Sequence, residues 1–454
     1  MNAELPMIGR KIRQANREIL RNSYCTHQIE ESVPYAHCSM RTYSRMPPIG
    51  IAPDDAANAQ PSRLASLDMS TSDSAPLRVL YLVHDLSDPA VDKRTIMLRD
   101  GGARVTVAGF RRTPEPIAEV AGTPAINLGQ TQNGGFLQRI IAVLQIVLSI
   151  RKYRHLFLDS DVVIARNLEM LAIGVRGQSS VNPAPKLIYE SLDIHRLLLD
   201  RGIVGRVLRG LEGWLSKRAA ALITSSPAFV ENYFKPLSQV QLPVVLIENK
   251  VYSGETALPG TSEIVRPAAP PWKIGWFGAI RCRKSLDLLS ELVKRAEGLV
   301  EVTIRGRPAY NEFADFARST TETPGLRFGG AYRNPVDLDQ MYGNIHFTWA
   351  IDMFEEGQNS TWLLPNRLYE GGRHGSVPLA VADVETGHKL AELGIGRNFP
   401  VLTVDALLDF FRTLTAAEYQ AMSFAARSIP AATWSFTRQD CVELVAALRS
   451  AGST

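Results

Sequence analysis

Arg281, Arg283 and Lys284 sit where a helix should begin, and they are the first sign of chemistry in this chain. They follow the apolar run WKIGWFGAI, whose strand reads as ending at Gly278, and they lead into SLDLLSELVKRA. There Leu286, Leu289, Leu292 and Val293 recur at helical spacing. The segment therefore reads as strand, glycine turn, basic loop and helix. Free N–H groups at a helix start favour an anion, and the basic residues add to that field. Gly278 lets a ligand approach the backbone. The set suits phosphate. The GxxxxGK(S/T) spacing of a triphosphate-cradling loop is absent, so a departing diphosphate, as from a nucleotide-sugar, fits better than triphosphate hydrolysis. The alternative is an ordinary strand–helix junction with solvated basic residues.

LLPNRLYEGGRHGSVPLAVAD (363–383) is the second informative stretch. Arg367 and Glu370 fall three apart at a helix start, on one face. A carboxylate there can accept both ribose hydroxyls while Arg367 reaches phosphate; otherwise the two form an exposed helix ion pair. Arg305 with Gly306, and Gly329, Gly330 and Tyr332, close two other strands and can seat a nucleobase and ribose. Earlier, KLIYESLDIHR brings Glu190, Asp193 and His195 to a strand's carboxyl end. Asp193 could be a general base, with His195 holding the acceptor hydroxyl or the reacting sugar; equally, Asp193 could cap the next helix. Asp159-Ser-Asp161 has the spacing of a DxD metal site on a diphosphate. It reads more simply as a helix end followed by a strand start.

These residues need elements to hold them. The chain has 454 residues, 45% hydrophobic, and a formal net charge of +4, which fits a globular protein and no nucleic-acid-binding polycation. Its four cysteines (Cys25, Cys38, Cys282, Cys441) form no CxxC pair, so a disulfide framework or zinc knuckle is not expected. Residues 1–76 read as a disordered tail without a signal peptide; Ile8–Tyr24 could form a short basic helix, and Met69 is a possible natural start. From LRVLYLVHD onward strands and helices alternate, which predicts open parallel sheets. The first turn, HDLSDPAVDKR, has no glycine, which argues against NAD or FAD. A first domain spans 77–255, a linker rich in Pro, Gly and Ser spans 256–271, and a second alternating unit spans 272–436. The fold class is α/β, with two doubly wound Rossmann-like domains facing a cleft. Two segments could lie on an anionic membrane surface: the apolar run in Phe136–Leu156, ending in Arg151, Lys152 and Arg154, and the stripe Val204, Val207, Leu208, Leu211, Trp214, Leu215. The run in Phe136–Leu156 could equally be a buried helix of the first domain.

Four stretches together resemble the GT-B glycosyltransferases of the family-four type, in their exopolysaccharide branch. They are RVLYLVHDLSDPAVDKRTIMLRDGGARVTVAGF, KRAAALITSSPAF, GWFGAIRCRKSLDLL and LPNRLYEGGRHGSVPLAVAD. The resemblance implies a nucleotide-sugar held by the second domain and an acceptor on the first, with no metal or other cofactor. It also implies a last helix (437–454) crossing back. By that likeness Gly278 lines the diphosphate, Lys284 neutralises it, Glu370 binds ribose and His195 is the active-site histidine. The family's Glu-x7-Glu would place an acid at Trp362, and its usual lysine is Arg367 here. Asp352, Glu355, Glu356 or Asn359 could replace the missing acid. The expectation is a cytoplasmic enzyme, peripheral on the inner membrane face, that moves a sugar to a hydroxyl of a lipid-linked or other saccharide. Asp193, His195 and Lys284 would be catalytic, and Gly278, Arg281, Lys284, Arg305, Tyr332, Arg367 and Glu370 would bind the donor. The rivals are a metal-dependent GT-A enzyme using Asp159 and Asp161, and a catalytically silent GT-B scaffold.

Overall fold

The computed structural model describes residues 75–131, 136–254 and 266–452. The tail before them, with Ile8–Tyr24, Cys25, Cys38 and Met69, and the linker residues 255–265 lie outside the described residues. Cys282 and Cys441 are buried thiols.

The first sheet is built from β1 (Arg78–Val83), β2 (Arg104–Arg111), β3 (Glu119–Val120), β4 (Thr123–Gln130), β5 (Val162–Arg166), β6 (Lys186–Ser191), β7 (Ala221–Thr224) and β8 (Val244–Leu246). Their order is β3-β4-β2-β1-β5-β6-β7-β8, parallel except for β3 against β4. β1 shows why its sequence is apolar throughout. Leu80 and Leu82 enter the core on one face, while Val79, Tyr81 and Val83 enter the core on the other. A strand covered on both sides has no polar face.

Three helices of this half matter for the site and the surface. Helix α1 (Pro89–Asp100) starts at Asp88, whose carboxylate accepts from Ala90 N, with Pro89 preset for the first turn. Helix α2 (Phe136–Leu148) and helix α3 (Ile203–Ser216) both pack on the helix Asn167–Gln178, on one side of the sheet. The apolar stretch that begins at Phe136 is not one helix. It breaks after Leu148 into a tight turn, Ile150–Tyr153, and a short helix, Arg154–Leu158.

After β9 (Val251–Tyr252) the second sheet comprises β10 (Trp272–Ile280), β11 (Val300–Pro308), β12 (Leu326–Phe328), β13 (Phe347–Trp349), β14 (Val377–Val381) and β15 (Arg397–Phe399). It is all parallel, in the order β12-β11-β10-β13-β14-β15. Helix α4 (Arg283–Arg295) follows β10, and helix α5 (Asn366–Arg373) precedes β14. Each sheet reverses its strand order once, between β1 and β5 and between β10 and β13. Ligands of open α/β sheets bind outside the carboxyl ends at that reversal. The chain is thus a pair of doubly wound sheets, as the alternation of its elements predicts.

Three hydrogen bonds tie the halves beside the cleft. Ile194 N donates to Asn359 Oδ1 (3.1 Å), Ser226 Oγ to Trp362 O (2.5 Å) and Asn249 Nδ2 to Leu364 O (2.8 Å). Leu363, from the second half, is buried in the core of the first. At the far end β16 (Ser435–Phe436) pairs with β9, and helix α6 (Arg438–Ser450) returns to the first half. Its Cys441, Leu444, Val445 and Leu448 share a core with Val79 and Tyr81.

Gly278 and Gly306 are register partners on β10 and β11. Gly306 has φ +143°, and a Cβ there would lie 1.9 Å from Gly278 O. Gly306→Ala should therefore cost about 2–4 kcal/mol. This would show as a lower urea midpoint, and an unchanged midpoint would contradict so close an approach.

Candidate functional site

β10 does not end at Gly278. It runs on to Ile280, with Gly278 held inside the ladder at φ +113°. Cys282 then caps α4, its Sγ accepting from Ser285 N (3.3 Å), so Arg283 and Lys284 occupy the first helical turn. The cations diverge from there. Arg281 stacks on Phe354, 4.7 Å from its ring centre, and comes within 4.0 Å of Asp352. Arg283 turns toward Asp315 (3.7 Å) and Phe313. Lys284 pairs with Glu356 at 2.6 Å, with about half of its side chain exposed.

Asp352 follows β13, across the strand reversal from Arg281. Its Oδ1 accepts from Ser360 Oγ (2.6 Å) and Phe354 N (3.1 Å), and its Oδ2 faces Arg367 at 3.6 Å. Burial pushes this carboxyl's pKa up. Arg367 and then Arg281 pull it down further than that, so it lies below the usual carboxylate range. Arg367 does not pair with Glu370. Its guanidinium is buried and donates to Ile351 O (2.7 Å), so it fixes the loop after β13 instead of reaching outward.

Glu370 sits one turn into α5, a helix pressed onto β13. A Cβ at Gly371 would lie 2.3 Å from Thr348 Oγ1, so glycine is what lets the helix pack this closely. Glu370 Oε2 accepts from Tyr342 OH (2.8 Å) and Oε1 from Asn334 Nδ2 (2.8 Å). Burial raises its pKa against those two bonds and against Lys93. A carboxylate offers about four acceptor positions, so this one keeps capacity for further hydroxyls. Tyr332 packs with Phe277 and Tyr342. Burial, with Glu370 adding to it, raises the pKa of the Tyr332 hydroxyl. Arg305 donates to Ala331 O (2.9 Å) and lies 3.9 Å from Asp337.

On the first-domain wall Glu190 is fully buried. It accepts from Tyr81 OH (2.5 Å) and Arg94 Nε (2.8 Å), so it is part of the frame and not of the cleft. Asp193 does reach the cleft. Its surface is exposed, yet crowding by the protein around it raises its pKa, opposed by Arg281 from the other wall and by Arg166. Among the described residues nothing hydrogen-bonds its carboxylate. The following short helix is capped by His195 instead, whose Nδ1 accepts from Leu197 N (3.3 Å). His195 Nε2 lies 3.4 Å from Arg139, and burial together with that arginine lowers the ring's pKa. The imidazole is therefore neutral near pH 7.

Asp159 and Asp161 are at the opposite edge. Asp159 closes the helix Arg154–Leu158. Asp161 precedes β5 and is committed to Arg78, accepting from its N (2.9 Å), Nε (3.2 Å) and terminal nitrogen (2.6 Å). These carboxylates stand at the amino ends of the strands, away from the cleft.

No family model matches the sequence. The succinoglycan biosynthesis protein ExoL of Rhizobium meliloti is 49% identical over 375 residues, covering 81% of this chain and 92% of that protein. The chain belongs to the ExoL family of succinoglycan biosynthesis proteins, and its fold is that of the GT-B glycosyltransferases. Sucrose-phosphate synthase from Thermosynechococcus elongatus shares the fold of this ExoL-family chain, with a TM-score of 0.62 and 11% identity over 82% of this chain and 98% of that one. HepE of Anabaena, solved with UDP-glucose, has a TM-score of 0.58 and 15% identity over 82% and 99%. The single-domain GT-A alternative is thereby set aside.

In this ExoL-family chain Trp362 packs against the core of the first domain. A structural plug thus occupies the position where the resemblance implied an acid. Of the four substitutes, Asp352 is held by Arg367 and Ser360, Asn359 by Ile194 N, and Glu356 by Lys284. Glu355 keeps its backbone N on Ser360 Oγ (2.9 Å), while burial raises the pKa of its side chain between Arg281 and Asp193. Tyr342 and Asn334 were not foreseen. They act on Glu370 from 28 and 36 residues away, and no local pattern marks them.

Asp352 contributes stability while it is ionised. That contribution is present above the unfolded carboxylate value near 3.9 and is lost as pH falls through the lower folded value. Asp352→Asn should be about 3 kcal/mol less stable at pH 7, because Arg367 is left buried without its counter-charge. It should also show a flatter loss of stability below pH 4. Parallel urea-midpoint curves for variant and wild type would refute this.

Proposed function

We propose that the protein transfers a sugar from a nucleoside-diphosphate sugar to a hydroxyl of a growing exopolysaccharide repeat. The observation that carries this is Glu370, fixed by Tyr342 and Asn334 beside a strand reversal that presents Arg281. A ribose diol fits the one and a diphosphate the other. HepE, solved with UDP and glucose, supports a nucleotide-sugar donor.

In this reading Gly278 lines the diphosphate, and Arg281 and Lys284 stabilise it, with Lys284 leaving Glu356. Arg367 acts by positioning Asp352 and its loop. Arg305 and Tyr332 flank the nucleoside. Glu355, with no competing partner, takes the sugar hydroxyls. The acceptor oxygen bonds to the anomeric carbon as the bond from that carbon to the diphosphate breaks, and the electron pair leaves with phosphate. The hydroxyl proton goes to Asp193 if configuration inverts, or to the departing phosphate if it is retained. Neutral His195 orients the acceptor. Side chains and the helix start carry the diphosphate charge, so transfer needs no metal and survives EDTA.

The acceptor is lipid-linked and met at an anionic membrane surface on the cytoplasmic face. Helix α3 supports this. Its inner face holds Gly205, Leu208, Glu212 and Leu215, and Glu212 accepts from Tyr189 OH and Tyr233 OH (both 2.5 Å). Leu208 and Leu215 thus leave the outward stripe. That stripe is Ile203, Val207, Leu211 and Trp214, and Trp214 is 63% exposed. Ile141, Leu144 and Leu148 of α2 are exposed on the same side of the sheet, and Leu148 is 84% exposed. Arg151, Lys152, Arg201, Arg206 and Lys217, within or next to these helices in sequence, are exposed as well. No described helix is long and apolar enough to cross a membrane.

A thermal-shift screen of nucleotide-sugars, followed by transfer assays, tests the reaction. Lys284→Ala should lower transfer about 10²-fold, the scale of one charge stabiliser; near wild-type turnover would remove it from the site. In liposome flotation, Trp214→Glu together with neutral residues at Arg151, Lys152 and Arg154 should lose binding to anionic vesicles. Undiminished flotation would exclude this surface.

A further inference from the structure

The segment HDLSDPAVDKR contains a cation that the donor reading has not used. Lys93 lies in the first half of α1, and its Nζ donates to the main-chain oxygen of Lys250 (3.2 Å), where the chain leaves the first sheet. It is only half-buried by surface, yet the protein crowds it from both walls. Arg94 and Arg166 repel it from its own wall, and Asp88 attracts it there. From the opposite wall Glu370 attracts it.

The other cations assigned above to the donor site or to the frame of the first wall are already matched. Arg281 and Arg367 have Asp352 at 4.0 and 3.6 Å, Lys284 has Glu356 at 2.6 Å, and Arg305 has Asp337 at 3.9 Å. On the first wall Arg94 has Glu190 at 2.8 Å and Arg166 has Asp88 at 3.0 Å. Lys93 has no carboxylate within ion-pair distance among the described residues. An ammonium placed beside two arginines, with one carbonyl as its partner, gains from an arriving anion. A neutral acceptor hydroxyl would not supply that charge. The neighbour that identifies the anion is Glu370, the carboxylate assigned to the donor's ribose.

We propose that Lys93 is a donor-site residue contributed by the first domain: its ammonium binds the diphosphate of the nucleotide-sugar across the cleft and stays with the nucleoside diphosphate as it leaves. This rests on the donor reading above. It adds that the donor is gripped from both walls, so the first domain takes part in holding the leaving group as well as the acceptor. Charge grows on the terminal phosphate as its bond to the anomeric carbon breaks, and Lys93 then adds to Arg281 and Lys284.

The test is calorimetric titration of the full chain with UDP, ADP, GDP and dTDP, each beside its nucleoside. Lys93→Gln should weaken the preferred diphosphate about tenfold or more, the scale of a lost charge-assisted hydrogen bond. Nucleoside affinity should hold, and Lys93→Arg should restore most of the loss. Burial and Arg94 push the Lys93 pKa down to about 8. Wild-type diphosphate affinity should therefore fall between pH 7 and 9, and the Lys93→Arg protein should stay flat. A merely structural role through Lys250 O would move nucleoside and diphosphate alike and leave no such difference in pH profile. Equal diphosphate affinity in wild type and Lys93→Gln would overturn Lys93 alone. A wild type that binds none of the four diphosphates would overturn the donor reading and this assignment with it.

Discussion

One short segment, residues 351–364, has to satisfy both halves of the molecule at once. At its start Asp352 takes Ser360 Oγ and Phe354 N and faces two arginines. At its end Asn359, Trp362 and Leu363 are engaged with the first domain. A buried carboxylate between two guanidiniums holds only if its geometry is kept. The electrostatics at the donor rim therefore depend on the packing of a hydrophobic plug on the far side of the cleft. Arg367 serves this arrangement through Ile351 O, which is why it is unavailable as a simple phosphate hook.

The rest of the site follows from where charge can be held without water. The first wall buries Glu190 by giving it Tyr81 and Arg94, and it buries Arg166 by giving it Asp88 and the Tyr81 hydroxyl (3.2 Å). Those groups are mutually satisfied and make a rigid frame. Among the described residues, those left with unmet charge or acceptor capacity are few and directional: Asp193 and Lys93 on one side, Glu355 and the spare acceptor capacity of Glu370 on the other. Groups of that kind, opposed across a gap, are where a substrate can supply the missing interactions.

Much of the framework could be read in the sequence because each strand signals itself locally. WKIGWFGAI and LRVLYLVHD are apolar on both faces, and helices with clear apolar spacing follow or flank them. Gly278 within β10 and the basic residues after that strand also lie close together in sequence, so their placement at a strand's carboxyl end was foreseeable. The pairing of Glu370 with Tyr342 and Asn334 was not, since it depends on how α5 docks against a distant loop. The same holds for α3. Its periodicity gave one apolar stripe, but the structure divides it, because Glu212 finds two tyrosines and occupies the inner face. Arg367 and Glu370 were correctly placed on one helix; the ion pair that was their alternative does not form, because their partners lie outside the helix.

Helix α6 fills the second face of the first sheet with Cys441, Leu444, Val445 and Leu448. During synthesis that sheet emerges long before these residues do, so part of its apolar back stays uncovered until they follow. The first domain therefore draws part of its own core from residues beyond 437, and a chain cut there would leave apolar side chains of the earliest-made sheet in water.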